Sequence, residues 1–428
     1  MSLARNFCAS PWLHAHINNN GTYEVCRWAH KENRTSQHRI QTTHPVTWFQ
    51  QGMSQFRQQL LAGEAPEACQ HCHVMEQHNK VSGRQKQLLK AGISEPMFEQ
   101  TLRSSPWFQT FQHSHDRQGH TDQLPQDWQI DLGNFCNSAC LFCTPHASSR
   151  LATEQFRLGL IKRMPDPAWV DDETALQGFL DTLRSSPRLA YLHFIGGETL
   201  ITPAFRRILT ALIDSDLART VTIGFTTNLT VWDQDIVDLL LQFHQVNLGV
   251  SVECLHPVND YVRWPSRIPE VQAMLERWHQ LANSAGWLMQ MRVTPTVLSI
   301  WHLSTVYEWA MQHGVAVESC NFLYEPAFMR ISVLPDDLRQ QARARLQQWV
   351  SQHQVQGQQI INTRDPNQAP SQILQDAQSY IHYLANADSE HHRAPDLVRY
   401  LRVMQQSRGN DILDYLPEYE QFLRSAGL

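Results

Sequence analysis

The residues with most chemical potential in this 428-residue sequence are its nine cysteines. They fall into three groups. Cys136-Asn-Ser-Ala-Cys140-Leu-Phe142-Cys143 places three thiols in one loop. Cys8, Cys26, Cys69 and Cys72 precede it, the last two as Cys-Gln-His-Cys, while Cys254 and Cys320 stand alone. Three thiolates separated by three and then two residues can wrap one iron–sulfur cubane and leave its fourth iron open to a small molecule. Structural zinc needs four protein ligands, and His146 would complete a set of three cysteines and one histidine. The four N-terminal thiols can saturate one metal centre, either a cluster or a tetrahedral zinc held by a Cys-x2-Cys hook and two distant cysteines. A cluster saturated by thiolates has no site for substrate, which leaves electron transfer or structural support as its role. His14, His16, His71 and His73 flank these thiols and suit hydrogen bonding to sulfur or a solvent face better than ligation.

Composition narrows the setting. There are 35 Lys+Arg against 41 Asp+Glu, a net charge of −6, and no basic block, so nucleic-acid binding is not expected. The N-terminal residues lack the apolar core of a signal peptide, and no apolar run is long enough to span a bilayer. A cytoplasmic protein without membrane contact is expected, in which disulfides are disfavoured and metal or redox chemistry accounts for the thiols. The histidines, 22 in all, have no such explanation.

The elements that must position these thiols can be read from periodicity. Short β-branched or apolar runs predict strands near 128–132, 191–195, 220–225, 245–252, 288–296 and 317–323. Between them, helical patterns cover 172–185, 203–215, 233–243, 269–285 and 303–313. This alternation predicts an α/β fold, a partial (β/α)6 barrel in which ligands gather at the C-terminal ends of the strands. Residues 1–125 form a separate N-terminal cysteine domain in this reading, with a hairpin carrying Cys8 and Cys26 and a helix over 46–62 capped by Gly63. Residues 126–334 form the barrel. Residues 335–428 form a helical region, with helices near 336–354, 371–387 and 394–406, whose apolar stripe (Ile373, Leu374, Ala377, Tyr380, Ile381) packs on it.

The motifs along this barrel carry a resemblance. Trp128-Gln-Ile-Asp-Leu-Gly-Asn-Phe-Cys136 through Cys143, with the aromatic Phe142 before the last cysteine, resembles the signature loop of the radical S-adenosylmethionine (SAM) superfamily. After the second barrel strand, Gly196-Gly197-Glu198-Thr199 is similar to the family's Gly-Gly-Glu motif for the methionyl amino group of SAM. Read without the family it is a tight strand-to-helix turn. Thr226-Thr227-Asn228-Leu229-Thr230 resembles a Thr-Thr-Asn-Gly-Thr turn, with Leu229 in place of glycine. Ser251-Val-Glu253 and Asp260-Tyr-Val-Arg263-Trp-Pro265 resemble Ser-x-Asp-Gly and Asp-Tyr-x-Arg-x-Pro. By that match Ser251 and Glu253 contact the ribose and methionyl region of SAM, and Arg263 its carboxylate; the plain alternative for Arg263 is a surface ion pair.

The resemblance implies that Cys136, Cys140 and Cys143 hold a [4Fe–4S] cluster, that SAM binds its open iron, and that one-electron cleavage yields a 5′-deoxyadenosyl radical able to take hydrogen from a substrate. The N-terminal set resembles the twitch form of the SPASM auxiliary domain, which implies a second [4Fe–4S] cluster on Cys8, Cys26, Cys69 and Cys72, though relatives often carry it after the barrel. Such relatives modify ribosomal peptides or proteins by crosslinking, oxidation or epimerisation. A small-molecule substrate (carbohydrate, nucleoside or amine) and a non-enzymatic electron carrier are the alternatives. The electron would come from a flavodoxin or ferredoxin. Cys254, at the end of a barrel strand, and Cys320 are candidate hydrogen-atom donors to a substrate radical; Cys320 equally suits a small buried hydrophobe.

Overall fold

The computed structural model of the chain describes residues 6–27, 29, 35–77, 81–318, 322–353 and 369–428. Its strands are β1 His14–Ile17, β2 Thr22–Glu24, β3 Thr35–Arg39, β4 Asp127–Asp131, β5 Tyr191–Ile195, β6 Thr222–Thr227, β7 Gln245–Ser251, β8 Leu288–Arg292 and β9 Ala316–Glu318. They lie in the order β3-β2-β1-β4-β5-β6-β7-β8-β9, and the sheet, ending at β3 and β9, does not close. The β4–β5, β7–β8 and β8–β9 pairs are parallel, as long helical crossovers require. The fold is α/β with a mostly parallel sheet, in agreement with the alternation in the sequence. No helix among the described residues is long and apolar enough to cross a membrane.

The chain divides into two compact units. The first holds residues 1–134, 166–224 and 235–244, the second 135–165, 225–234 and 245–428.

In the first unit the expected hairpin forms, with β1 antiparallel to β2 and His16 opposite Glu24. It also joins the sheet, because β1 runs parallel to β4 with His14 opposite Asp127 and Ile17 opposite Ile130. The helix expected over 46–62 is interrupted. Regular turns at Pro45–Thr47 and Ser54–Leu61 flank a wider π-turn at Trp48–Gly52. Trp48 is buried and stacked on Tyr23 at 4.4 Å, and a Cβ on Gly52 would come 2.8 Å from its ring, so the indole takes the space of a tighter turn. A core of Phe7, Trp12 and Phe111, with ring centroids 5.1 to 5.5 Å apart, lies next to Cys8.

In the second unit, β7 buries Val246, Leu248 and Val250 on one face and sets Asn247, Gly249 and Ser251 on the other. The period of two is what a two-faced strand needs. Helix Ile268–Ala285 follows it, burying Val271, Leu275, Trp278 and Ala282 at helical spacing and ending at Gly286 with φ 68°. Helices Asp336–Gln352, Ala369–Asn386 and Ala394–Arg408 complete this unit close to their expected bounds.

Candidate functional site

The loop after β4 carries Cys140 buried and Cys136 and Cys143 half-buried. Its backbone is held by four segments of the second unit. Ser148 Oγ donates to the Ser138 carbonyl at 2.6 Å and caps helix Ser149–Arg157 by accepting from Leu151 N–H. The Ala139 and Leu141 amides donate to the carbonyls of Trp264 and Val262, both at 2.8 Å. Asn228 Nδ2 donates to Asn137 Oδ1 at 2.8 Å and Ser138 Oγ at 3.1 Å, and Asn137 Nδ2 donates to Thr230 Oγ1 at 2.8 Å. From the C-terminal helix, Tyr400 OH donates to the Leu141 carbonyl at 3.2 Å and Arg408 Nη2 to that of Ala139 at 2.8 Å. Sequence reasoning missed Tyr400 and Arg408, since nothing local marks a helical residue that reaches a loop so far back in the chain.

Thr227 and Asn228 thus act on the loop by two routes. Thr227 Oγ1 accepts from the Leu229 amide at 3.3 Å and shapes the turn from which Asn228 reaches the cysteines. Leu229 is fully buried and takes φ 64°, the left-handed backbone that a glycine would adopt without cost. The turn keeps the geometry of a glycine turn despite the side chain.

The charges suit an anionic group. Burial raises the Cys140 thiol pKa, against the lowering pull of Arg263 and Arg408. Burial, then the proximity of Cys140 and Cys136, pushes Cys143 up to about 12. The Ser138 amide donates to Cys136 Sγ at 3.4 Å. Three mutually close sulfurs, an amide on sulfur and two guanidinium groups nearby are the donor set and counter-charge that a thiolate-bound cluster needs.

Arg263 is no surface residue. It is 9% exposed, and its Nη1 donates to Glu253 Oε1 at 2.9 Å; Glu253 is 1% exposed. Glu253 Oε2 accepts from the Thr294 amide at 2.7 Å, which is where β8 stops short of its expected end at 296. The Glu253 amide in turn donates to Asn259 Oδ1 at 3.1 Å. Burial pushes the Glu253 pKa up to about 7, partly offset by Arg263 and the Thr294 amide. For Arg263, burial opposes the charge, but Cys140 and Glu253 outweigh it and raise its pKa above the usual range. The guanidinium lies 5.9 Å from the Phe142 ring centroid. Ser251, the last residue of β7, is half-buried. Cys254 is buried, with Sγ 3.9 Å from the His256 carbonyl, and burial raises its thiol pKa well above normal. Cys320 lies outside the described residues.

Gly196 to Thr199 belong to the first unit. Gly196 and Gly197 have φ of 94° and 54°. A Cβ on Gly196 would meet Asp131 Oδ1 at 1.9 Å and the Gly133 carbonyl at 2.5 Å, so a glycine is needed for the strand-end loops to pass. Glu198 is buried and caps the turn that follows, with Oε1 accepting from Leu200 N–H at 3.3 Å. Thr199 is buried beside it.

The N-terminal thiols converge in the same unit. Burial raises the Cys8 pKa first, and Cys26, Cys69 and Cys72 raise it further, which places all four within electrostatic reach. Cys69 is pushed up to about 12 by burial, Cys26 and Cys72. The Ser10 amide donates to Cys8 Sγ at 3.4 Å. Cys72 is raised by burial, while the amides of Arg84 and Gly83, at the start of helix Gly83–Lys90, favour its thiolate. Four thiols with amide donors fit a metal centre on chemical grounds.

Part of the histidine excess is structural. Glu276, His279 and His313 present ligand atoms within 4.8 Å of one another. Here Trp309 Nε1 donates to Glu276 at 2.8 Å, and His313 stacks on Trp309 at 4.0 Å with Nδ1–H on its carbonyl at 2.8 Å. The same arrangement recurs with Trp349 Nε1 on Glu308 at 3.0 Å and His353 stacked at 4.4 Å, its Nδ1 2.8 Å from the Trp349 carbonyl. That recurrence marks a clasp between successive helices.

Residues 130–288 match the sequence profile of the Radical SAM superfamily. The chain contains a radical SAM domain. Its cysteine loop, strands β5 to β7 and the Arg263 segment all fall within that match. No curated protein matches the chain. Among solved structures, Streptococcus suis SuiB is 14% identical, covering 71% of this chain and 63% of its own, at a TM-score of 0.37. Native anSMEcpe with bound AdoMet is 16% identical, covering 53% and 61%, at 0.38. The radical SAM methyltransferase TsrM from Kitasatospora setae is 13% identical, covering 45% and 35%, at 0.33. The matched part of the chain spans less than two thirds of each of these structures.

Proposed function

We propose that this chain is a radical SAM enzyme that modifies a peptide or protein, with a second [4Fe–4S] cluster on its N-terminal cysteines. The observation that carries the reading is the single hydrogen-bonded assembly of the second unit. In it the Cys136–Cys143 loop is tied to Asn228 on one side and to the Arg263 segment on the other. Bound there, a [4Fe–4S] cluster and SAM would supply one-electron cleavage to methionine and a 5′-deoxyadenosyl radical, the electron coming from a flavodoxin or ferredoxin.

The chain's own residues bind and orient. Cys136, Cys140 and Cys143 ligate iron as thiolates. Arg263, held by Glu253, faces the SAM carboxylate in this reading, with Ser251, Thr227 and Asn228 around the cofactor and Gly196 to Thr199 on its amino group. Arg263 and Arg408 offset the thiolate charge. Cys254 is the candidate hydrogen donor at the strand end, and its buried, protonated thiol suits giving up a hydrogen atom better than acting as a thiolate. The division at 1–125, 126–334 and 335–428 and a cytoplasmic location belong to the same reading. The peptide preference rests on the resemblance of the N-terminal thiols to auxiliary-cluster domains.

Anaerobically reconstituted protein with SAM and dithionite is expected to form 5′-deoxyadenosine. If none forms, with or without candidate peptides, the enzymatic reading is lost.

A further inference from the structure

The sheet of the second unit has an apolar face, with Val250, Met291 and Val317 buried, and a polar one. On the polar face Arg292 ends β8, opposite Ser251 of β7 and Glu318 of β9 in register. Its Nη2 is 3.3 Å from Glu318 Oε2, and Gln290 Nε2 donates to that same oxygen at 2.9 Å. One edge of the guanidinium is therefore fixed. On the other edge, Arg292 Nε is buried without a hydrogen-bond partner among the described residues, and so is Thr226 Oγ1. These two atoms meet over Gly249. A Cβ placed there would lie 2.5 Å from Arg292 Nε and 2.9 Å from Thr226 Oγ1. Leaving such donors unpaired costs about 1–3 kcal/mol each, so their juxtaposition over a bare Cα asks for an acceptor.

We propose that Arg292 and Thr226 form a subsite for a carboxylate of the substrate, with Gly249 keeping the space open and Glu318 orienting the guanidinium. The inference rests on the radical SAM reading, in which strand ends face the substrate. Arg292 Nε–H and the Thr226 hydroxyl donate to the carboxylate oxygens, a geometry that suits a planar anion. Arg292 and Glu318 already balance in charge. A monoanion adds one uncompensated charge to a half-buried site, whereas a phosphate dianion adds about two, which selects the carboxylate. The carboxylate can belong to an acidic side chain or to a chain end.

The test uses cluster-reconstituted full-length protein and ligand-observed NMR with four probes. These are N-acetylglutamate α-amide, N-acetylalanine, N-acetylglutamine α-amide and inorganic phosphate. One of the two carboxylates is expected to bind at least about fivefold tighter than the neutral glutamine probe and than phosphate, the charge-assisted bond supplying the difference. The winner identifies a side-chain or a terminal carboxylate. Arg292→Leu, Thr226→Val and Gly249→Ala should each remove the preference, the last by displacing the guanidinium without changing charge. Arg219→Gln, at an exposed pair with Asp216, should retain it. Equal binding of carboxylate and amide overturns the proposal, as does tighter phosphate binding. Preference surviving in both Thr226→Val and Gly249→Ala overturns it even if Arg292→Leu fails to fold. Formation of 5′-deoxyadenosine by the wild type is followed in the same preparation. Its absence with the preference intact removes the enzymatic reading and leaves the subsite standing.

Discussion

Cys136, Cys140 and Cys143 sit in one short loop whose backbone is tied down by Ser148, Asn228, Trp264 and Arg408. Cys8, Cys26, Cys69 and Cys72 come instead from three separated segments and meet beside an apolar core of Phe7, Trp12 and Leu60. In the first case protein hydrogen bonds order the thiols. In the second, three chain segments must close on one another, an entropic cost that grows with loop length and that metal ligation offsets. The loop should therefore hold its shape without iron, while the N-terminal set should depend on it.

The largest effects come from removing one ligand from each set. Cys136→Ala should abolish 5′-deoxyadenosine formation and lower iron from about eight to about four per chain. Cys69→Ala should lower iron by the same amount but also lower the unfolding temperature markedly, because the long loops lose their closure. Iron and sulfide assays with thermal melts read both. Four irons in the wild type, or equal melting of the two variants, would break the comparison.

This division also governs what the sequence makes legible. Tyr191–Ile195 is a strand with the bounds its periodicity predicts, and the order of motifs from Cys136 to Arg263 is visible because each is local. The pairing of β1 with β4 was not, since two short strands distant in sequence leave no mark of one another. Nor was the Arg263–Glu253 pair, because a guanidinium pattern does not say which carboxylate shares its burial. Gly249 looks like any strand glycine until Arg292 is seen against it.

The Arg263–Glu253 pair sharpens the comparison next, since it belongs to the locally ordered site. Arg263→Met should cost about 3–5 kcal/mol by leaving a buried carboxylate without its cation. Glu253 titrates near 7 even with Arg263 present. A carboxyl whose folded pKa is raised contributes its stability at low pH and loses it as pH rises from the ordinary carboxylate range through about 7. Without Arg263 that pKa climbs further, so the variant should be closer to wild type at pH 6 than at pH 8. Unfolding midpoints at the two pH values measure this. A deficit that shrinks at high pH would mean the carboxylate is not buried with the guanidinium.

A smaller effect is expected at Asn228, whose side chain donates twice into the cysteine loop. Asn228→Ala should cost about 1–3 kcal/mol and loosen the loop without removing any iron ligand. Iron content near wild type with slower 5′-deoxyadenosine formation would place the loss in positioning. Loss of about four irons would show instead that this amide holds the loop together.

The smallest difference is the most specific to the turn. Leu229 is fully buried at φ 64°, a backbone that costs an L-residue about 1–2 kcal/mol. Both Leu229→Ala and Leu229→Gly empty the same buried volume, at about 3–5 kcal/mol. They differ in the backbone. Alanine keeps the left-handed strain that glycine relieves, while glycine adds the entropic cost of a freer unfolded chain. Glycine is usually the less stable of the two by about 0.5–1 kcal/mol. At this position the order should reverse or the gap should close, with Leu229→Gly melting no lower than Leu229→Ala. Were alanine clearly the more stable, the left-handed turn would not be what sets Asn228 against the cysteine loop, and the local ordering of the first thiol set would need another source.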